Sequence, residues 1–320
     1  MSNRIIEVSQ LSKTYKEGTE AVKNISFSVK EGEFFAFLGP NGAGKSTTIK
    51  MLTTLMKPTF GEGKIAGYDL LQKPEKIRLQ IGVALQNTAI DPALTGRELI
   101  ILQGRLFGFS KAEAIKRAKE LLELVGLTKD ADKQCGKYSG GMQRRLDLAM
   151  TLVHRPKVLF LDEPTVGLDP ASRMDLWQEI KKLNKEYGTT IFLTTQYLEE
   201  ADEVADRVGI INDGEIVALE KPEALKSSLM LDKIKLFFRS IQEKEKAQKA
   251  MMEITSNLES LDNQIILHLQ KNREYLPVIL GKLAAVHVFP IDIQIASPTL
   301  DDVFLQIIRD KKSTNENRGV

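Results

Sequence analysis

The stretch GPNGAGKST at residues 39–47 constrains this chain more than any other feature. An apolar run, FFAFL, precedes it, and a helix-period segment, TTIKMLTTLM, follows it. A strand that turns through glycines into a helix gathers backbone N–H groups and the positive end of the helix dipole at one point, where phosphate oxygens are held. Gly39, Gly42 and Gly44 give the turn its freedom, and Pro40, Asn41, Ala43 and Thr47 complete the loop. Lys45 supplies a point charge for the β and γ phosphates. The Ser46 hydroxyl is expected on Mg²⁺, the ion that bridges those phosphates during transfer.

A second segment, VLFLDEP at residues 158–164, is an apolar strand ending in two acids. At the carboxyl end of a strand, Asp162 is expected to face the phosphate loop and hold Mg²⁺, directly or through water. Glu163 is expected to polarise the water that attacks the γ-phosphate. Without the phosphate loop, the same pair would read equally well as two solvated acids at a turn.

Strand and helix signals alternate to about residue 225, and the runs at 34–38, 158–161 and 190–194 have the near-continuous hydrophobicity of strands covered on both faces. This predicts an α/β domain over 1–225 with a parallel sheet. Residues 97–126 read as wholly helical, with Gly126 as the stop, which marks an inserted helical lobe over about 87–150. Beyond residue 226 a small α+β domain is expected to 311. Ile291, Ile293 and Ile295 there alternate as the buried face of a strand, and Ser297, Pro298 and Thr299 offer caps for a helix. That helix carries Leu300, Val303, Phe304, Ile307 and Ile308 on one stripe, and residues 312–320 read as a disordered tail.

A third segment, YSGGMQRRLDLAM, places Ser139, Gly140 and Gly141 at a helix start, where a hydroxyl and two glycine amides make a second anion site. Alone it reads also as an ordinary N-capped helix. With the two preceding segments it resembles the signature of ATP-binding cassette (ABC) ATPases, which have Leu where this chain has Tyr138 and Gln where it has Met142. The resemblance covers essentially the whole chain. It implies a P-loop NTPase core with a helical subdomain and a small C-terminal α+β domain, hydrolysing ATP with Mg²⁺.

It further implies a head-to-tail dimer, in which the signature of one subunit closes over ATP held by the other. Tyr15 resembles the aromatic that stacks on adenine, Gln86 the glutamine that senses Mg²⁺ and contacts the membrane partner, and Asp169 the loop linking the two sites. By themselves Tyr15 reads as a strand aromatic and Gln86 as a surface amide. Where the family has a histidine near the γ-phosphate, FLTTQYLEEAD puts Gln196. An amide can donate a hydrogen bond there but cannot become a cation or relay a proton. This glutamine, YSGGM and the ending SPTLDDVFLQI resemble the daunorubicin-resistance branch, whose ATPases partner an ABC-2 type permease.

Charge and composition fit this reading. There are 45 Lys and Arg against 43 Asp and Glu, with 14 basic and 12 acidic side chains in residues 226–320, so no concentrated basic face for nucleic acid is expected. The single Cys135 fits a reducing compartment, and no run of about eighteen uncharged apolar residues would cross a bilayer. The expectation is a cytoplasmic protein held at the inner face of the membrane by its permease. The helical lobe would receive the permease, or else merely pack on the core. Alternatives from other classes are a soluble ABC ATPase without a permease and a regulatory binder that scarcely cleaves ATP.

Overall fold

The computed structural model describes residues 3–86, 90–228, 232–255, 257–269, 272–296 and 298–316. The chain divides into two compact units, Met1–Glu220 and Lys221–Val320. The first unit contains, in chain order, β1 (Arg4–Thr14), β2 (Glu20–Lys30), β3 (Phe34–Leu38), α1 (Lys45–Leu52), β4 (Phe60–Ile65), β5 (Tyr68–Asp69), α2 (Pro74–Arg78), β6 (Ile81–Ala84), α3 (Gly96–Leu106), α4 (Lys111–Leu124), α5 (Gly140–Thr151), β7 (Val158–Asp162), α6 (Pro170–Tyr187), β8 (Thr190–Thr195), α7 (Leu198–Val204), β9 (Arg207–Asn212) and β10 (Glu215–Glu220).

Six strands form a sheet in the order β10-β9-β3-β8-β7-β6, parallel throughout except for the antiparallel β9–β10 pair. Every residue of β3, β7 and β8 is buried, as their unbroken apolar runs require of strands covered on both faces. A second, antiparallel sheet, β2-β1-β4-β5, shares a core with the first. There Phe27, Phe35, Phe37, Phe160 and Phe192 meet, with Phe160–Phe192 and Phe35–Phe192 centroids 5.3 and 5.4 Å apart. Each such pair contributes about 0.5–1.5 kcal/mol beyond its burial.

Because β8 lies between β3 and β7, the loops leaving all three open on the same edge of the sheet, the usual place for a ligand in a parallel α/β fold. The segment expected as wholly helical at 97–126 is instead two helices. Gly108, at φ +88°, ends α3, and Ser110 starts α4 through a capping box with Glu113. Thr95 and Glu98 cap α3 in the same way. Residues 87–89, at the start of the expected lobe, lie outside the described residues.

The second unit contains α8 (Pro222–Ser228), β11 (Asp232–Phe237), α9 (Ile241–Met251), β12 (Leu258–Leu261), β13 (Gln264–Leu269), α10 (Asn272–Ala285), β14 (Asp292–Ala296) and α11 (Leu300–Glu316). From β11 to β14 the order is βαββαβ, and the antiparallel sheet runs β12-β13-β11-β14, the split-βαβ arrangement of ferredoxin-like folds. Ile234, Leu236, Ile265 and Leu267 share a buried core with Ala247 and Met251 of α9 and Ile279 and Leu283 of α10.

The isoleucine alternation expected here runs from just before β14 into it and is only partly buried. Ile293 packs on the core, but Ile295 is 47% and Ile291 57% exposed, because β14 is an edge strand with a neighbour on one side only. Thr299 caps α11, its hydroxyl accepting from the Asp302 N–H at 3.2 Å, and Leu300 and Val303 are buried. Ser297 lies outside the described residues. Helix α11 continues to Glu316, through part of the stretch read as a tail, and residues 317–320 lie outside the described residues.

Candidate active site

The loop between β3 and α1 requires glycine at defined points. A Cβ on Gly39 would collide with the Ile211 carbonyl oxygen, and Gly44 combines φ +109° with the Ala21 carbonyl 2.5 Å from where a Cβ would stand. The loop therefore passes so close to β2 and β9 that only a bare backbone fits. Lys45, the first residue of α1, is 4% exposed, and its Nζ donates to the Gly39 carbonyl at 2.7 Å and the Pro40 carbonyl at 3.0 Å.

The acids expected beside this loop are there. Asp162 is the last residue of β7, and its Oδ1 accepts from the Ser46 hydroxyl at 3.3 Å. Glu163 Oε1 is 3.3 Å from Lys45 Nζ. One cation and one hydroxyl on the helix side thus face two carboxylates on the strand side. The oxygen donors Ser46 Oγ and Asp162 Oδ1 suit a hard ion, and Mg²⁺ takes only one or two protein ligands when phosphate and water supply the rest. Among the described residues no cluster of three or more His, Cys, Asp or Glu could cage a metal alone, and Ser46 and Asp162 are a pair that could hold Mg²⁺ together with a bound triphosphate.

The remaining expected residues spread around this centre. The Tyr15 hydroxyl and Thr47 Oγ1 are 3.2 Å apart, which brings the residue after β1 to the loop. Gln196 follows β8 directly and is half-buried between the exits of β3 and β7. Gln86 is exposed just beyond β6.

Ser139 caps α5, its Oγ accepting from Met142 N–H at 3.3 Å. Of the two glycines behind it, Gly140 is exposed, whereas Gly141 is buried against Ser172. Asp169 caps α6 through the Ser172 N–H at 3.0 Å, and hydrogen bonding from the Ser172 side chain, then from its N–H, holds the carboxyl below the usual range. Gly141, one helical step from Ser139 and Gly140, and Asp169 therefore meet at Ser172, which gathers the start of α5 and the start of α6 into a second cluster. Tyr138, in the place of the expected leucine, donates to the Asp130 carbonyl at 2.7 Å, and burial pushes its pKa up to about 12.

Three residues absent from the motif reading complete the site. The Thr194 hydroxyl donates to Asp162 Oδ1 at 2.6 Å. Arg144, in α5, is buried and donates to the carbonyls of Leu85 at 2.6 Å, Pro164 at 2.9 Å and Asp162 at 3.4 Å. Its NH1 also pairs with Asp147 at 3.2 Å, and Asp147 is pushed up to about 6 by burial despite that cation.

Glu200, buried in α7, accepts from Thr165 at 2.9 Å and Thr195 at 3.3 Å and lies 3.6 Å from Arg173 Nε. It ties the segment after Glu163 to the one carrying Gln196. The available signal was a polar residue at a position helical or strand periodicity makes inward-facing, as with Arg144 beside Leu148 on the buried side of α5.

Comparison with known proteins agrees with this geometry. A family model described as "ABC transporter" matches residues 22–166, and one described as "AAA domain, putative AbiEii toxin, Type IV TA system" matches 134–199. The daunorubicin/doxorubicin resistance ATP-binding protein of Streptomyces peucetius is 40% identical over 319 residues, covering 98% of this chain and 96% of its own. The linearmycin resistance ATP-binding protein of Bacillus subtilis (strain 168) is 36% identical, covering 95% and 98%.

Among solved structures, a dimeric ATP-binding cassette in a post-hydrolysis state with ADP and Pi bound has a TM-score of 0.62 at 34% identity, covering 68% of this chain and 98% of its own. The cbiO1 protein of Clostridium perfringens, part of an ABC transporter complex, has a TM-score of 0.65 at 28% identity and covers 79% and 96%. A phosphate loop facing two strand-end acids, together with near-full-length likeness at this identity, places the chain in the ABC transporter family as an ATP-binding, ATP-hydrolysing subunit.

Proposed function

We propose that this subunit powers an exporter through a separately encoded ABC-2 type permease, with two copies of the chain closing head to tail on ATP. The observation that carries the hydrolytic part is the pairing of Lys45 and Ser46 with Glu163 and Asp162 at 3.3 Å each. When triphosphate enters, Lys45 exchanges its carboxylate and carbonyl partners for phosphate oxygens. Glu163, released from the cation, orients the attacking water and accepts its proton. Ser46, Asp162 and Gln86 would hold Mg²⁺, which would supply a positive charge to neutralise that developing on the phosphates. Gln196 donates a hydrogen bond to the γ-phosphate without supplying a charge.

Ser139 and Gly140 close over nucleotide held by a second copy, and Asp169 links the two sites. Tyr15 stacks on the base. Among the described residues no helix is long and apolar enough to cross a membrane, so movement of cargo depends on the permease, to which the chain docks at the inner face of the cell membrane. The two relatives above are named for daunorubicin/doxorubicin and linearmycin resistance, and a drug-like cargo is the corresponding proposal here. Their near-full-length likeness supports transport over a soluble or regulatory role.

The test is Glu163→Gln with ATP and Mg²⁺. Steady-state hydrolysis is expected to fall at least a hundredfold, and light scattering is expected to show a dimer. Wild-type turnover, or monomers at saturating nucleotide, overturns the reading.

A further inference from the structure

Glu163 sits at φ +48°, in the left-handed region that non-glycine residues avoid. A residue stays there only when its surroundings over-determine it. Its own N–H donates to the Thr194 carbonyl at 3.0 Å, which fixes one side. The carbonyls on either side of it, those of Asp162 and Pro164, are both taken by one guanidinium, Arg144, at 3.4 and 2.9 Å. The same guanidinium takes the Leu85 carbonyl at 2.6 Å, one residue before Gln86. Strands β6 and β7 are hydrogen-bonded neighbours, with Ala84 paired to Leu161, so Arg144 bridges the exits of two adjacent strands from the helix that Ser139 caps.

We propose that Arg144 is a positioning residue for hydrolysis: its bonds to the Asp162, Pro164 and Leu85 carbonyls lock Glu163 in the conformation that aims its carboxylate at the phosphate loop, and tie that conformation to the Gln86 segment and the signature helix. A planar fork with five donors can serve three carbonyls and the Asp147 carboxylate at once, which a lysine ammonium cannot. Movement of α5 or of the segment after β6 is then transmitted to the acid through one side chain. The proposal rests on Glu163 acting on the attacking water.

The experiment compares Arg144→Gln, Arg144→Lys and Glu163→Gln in the full-length chain, measuring kcat and KM for ATP together with the melting temperature. Misplacing a reacting group by about 1 Å costs on the order of a hundredfold, so Arg144→Gln is expected to lower kcat by about tenfold to a hundredfold, with KM within about twofold. Arg144→Lys, which keeps a cation for Asp147 but lacks the fork, is expected to melt near wild type and still lose most of kcat. Full kcat in Arg144→Lys, or a loss confined to KM, overturns the proposal.

If Glu163→Gln itself turns over normally, the reading of Glu163 fails. If it is dead while Arg144→Gln is active, only the positioning role fails. Should both Arg144 variants fail to fold, Asp147→Asn decides: it removes the ion pair and leaves the carbonyl bonds, so kcat is expected within about threefold of wild type, and a collapse comparable to that of Glu163→Gln overturns the proposal.

Discussion

The Thr194 hydroxyl donates to Asp162 Oδ1 at 2.6 Å, and the Glu163 N–H donates to the Thr194 carbonyl, so one residue of β8 orients both the acid that ends β7 and the acid that follows it. Groups that orient a metal-holding carboxylate influence metal affinity by about tenfold to a hundredfold. Thr194→Val keeps the shape and removes the donor. The Mg²⁺ concentration for half-maximal ATP hydrolysis is expected to rise about tenfold or more, with an unchanged strand core. An unchanged magnesium requirement would separate Asp162 from the ion.

Gln196 offers an amide where the resemblance to ABC ATPases implies an imidazole. Gln196→Ala is expected to lower kcat by about tenfold to a hundredfold, the worth of one transition-state hydrogen bond. Gln196→His is expected to add to the pH profile of kcat a step near the histidine range, about 6.5, that wild type lacks. Flat, identical profiles in all three would remove this position from the reacting phosphate.

The two signature glycines separate by environment. A Cβ on Gly140 meets nothing within 4 Å, whereas one on Gly141 collides with Ser172. Gly141→Ala is therefore expected to destabilise the fold by about 1–3 kcal/mol, the usual cost of overpacking. Gly140→Ala is expected to melt within about 0.5 kcal/mol of wild type while weakening ATP-dependent dimerisation. Thermal melts and nucleotide-dependent scattering on the pair check this, and equal melting losses would contradict it.

Asp147 titrates at about 6 when folded, because burial disfavours its charge more than Arg144 favours it. Its unfolded value is near the ordinary 3.9. Between these values the folded state binds more protons, so this group's contribution to stability is present at low pH and is lost as pH rises through about 6. Asp147→Asn cannot titrate. Relative to that variant, wild type is expected to lose stability between about pH 4.5 and 6.5, measured as the difference in denaturant midpoint. A pH-independent difference would show that the carboxyl is not shifted.

Residues 39–47 and 158–164 declare their chemistry in order along the chain, because a glycine turn between a strand and a helix and a strand ending in acids are local patterns. The alternation of strand and helix signals likewise announces a parallel sheet, and the three runs at 34–38, 158–161 and 190–194 became β3, β7 and β8 with little change. Where the local pattern met tertiary context it gave way. An alternating strand lost part of its burial when β14 took the sheet's edge, whereas the break of the helical stretch into α3 and α4 came from local signals, Gly108 and the Ser110 capping box, that the helix-period reading passed over.

What the chain's order marked by itself was which groups are candidates to bind phosphate and which acids are candidates to act on it. What only tertiary structure decided was how those acids are held. Arg144 is 59 residues from Leu85 and Thr194 is 32 from Asp162, separations set by which strands become neighbours. Periodicity marks a position as inward-facing but says nothing of which carbonyl waits there. A buried guanidinium finds its partners only once the sheet has chosen its order.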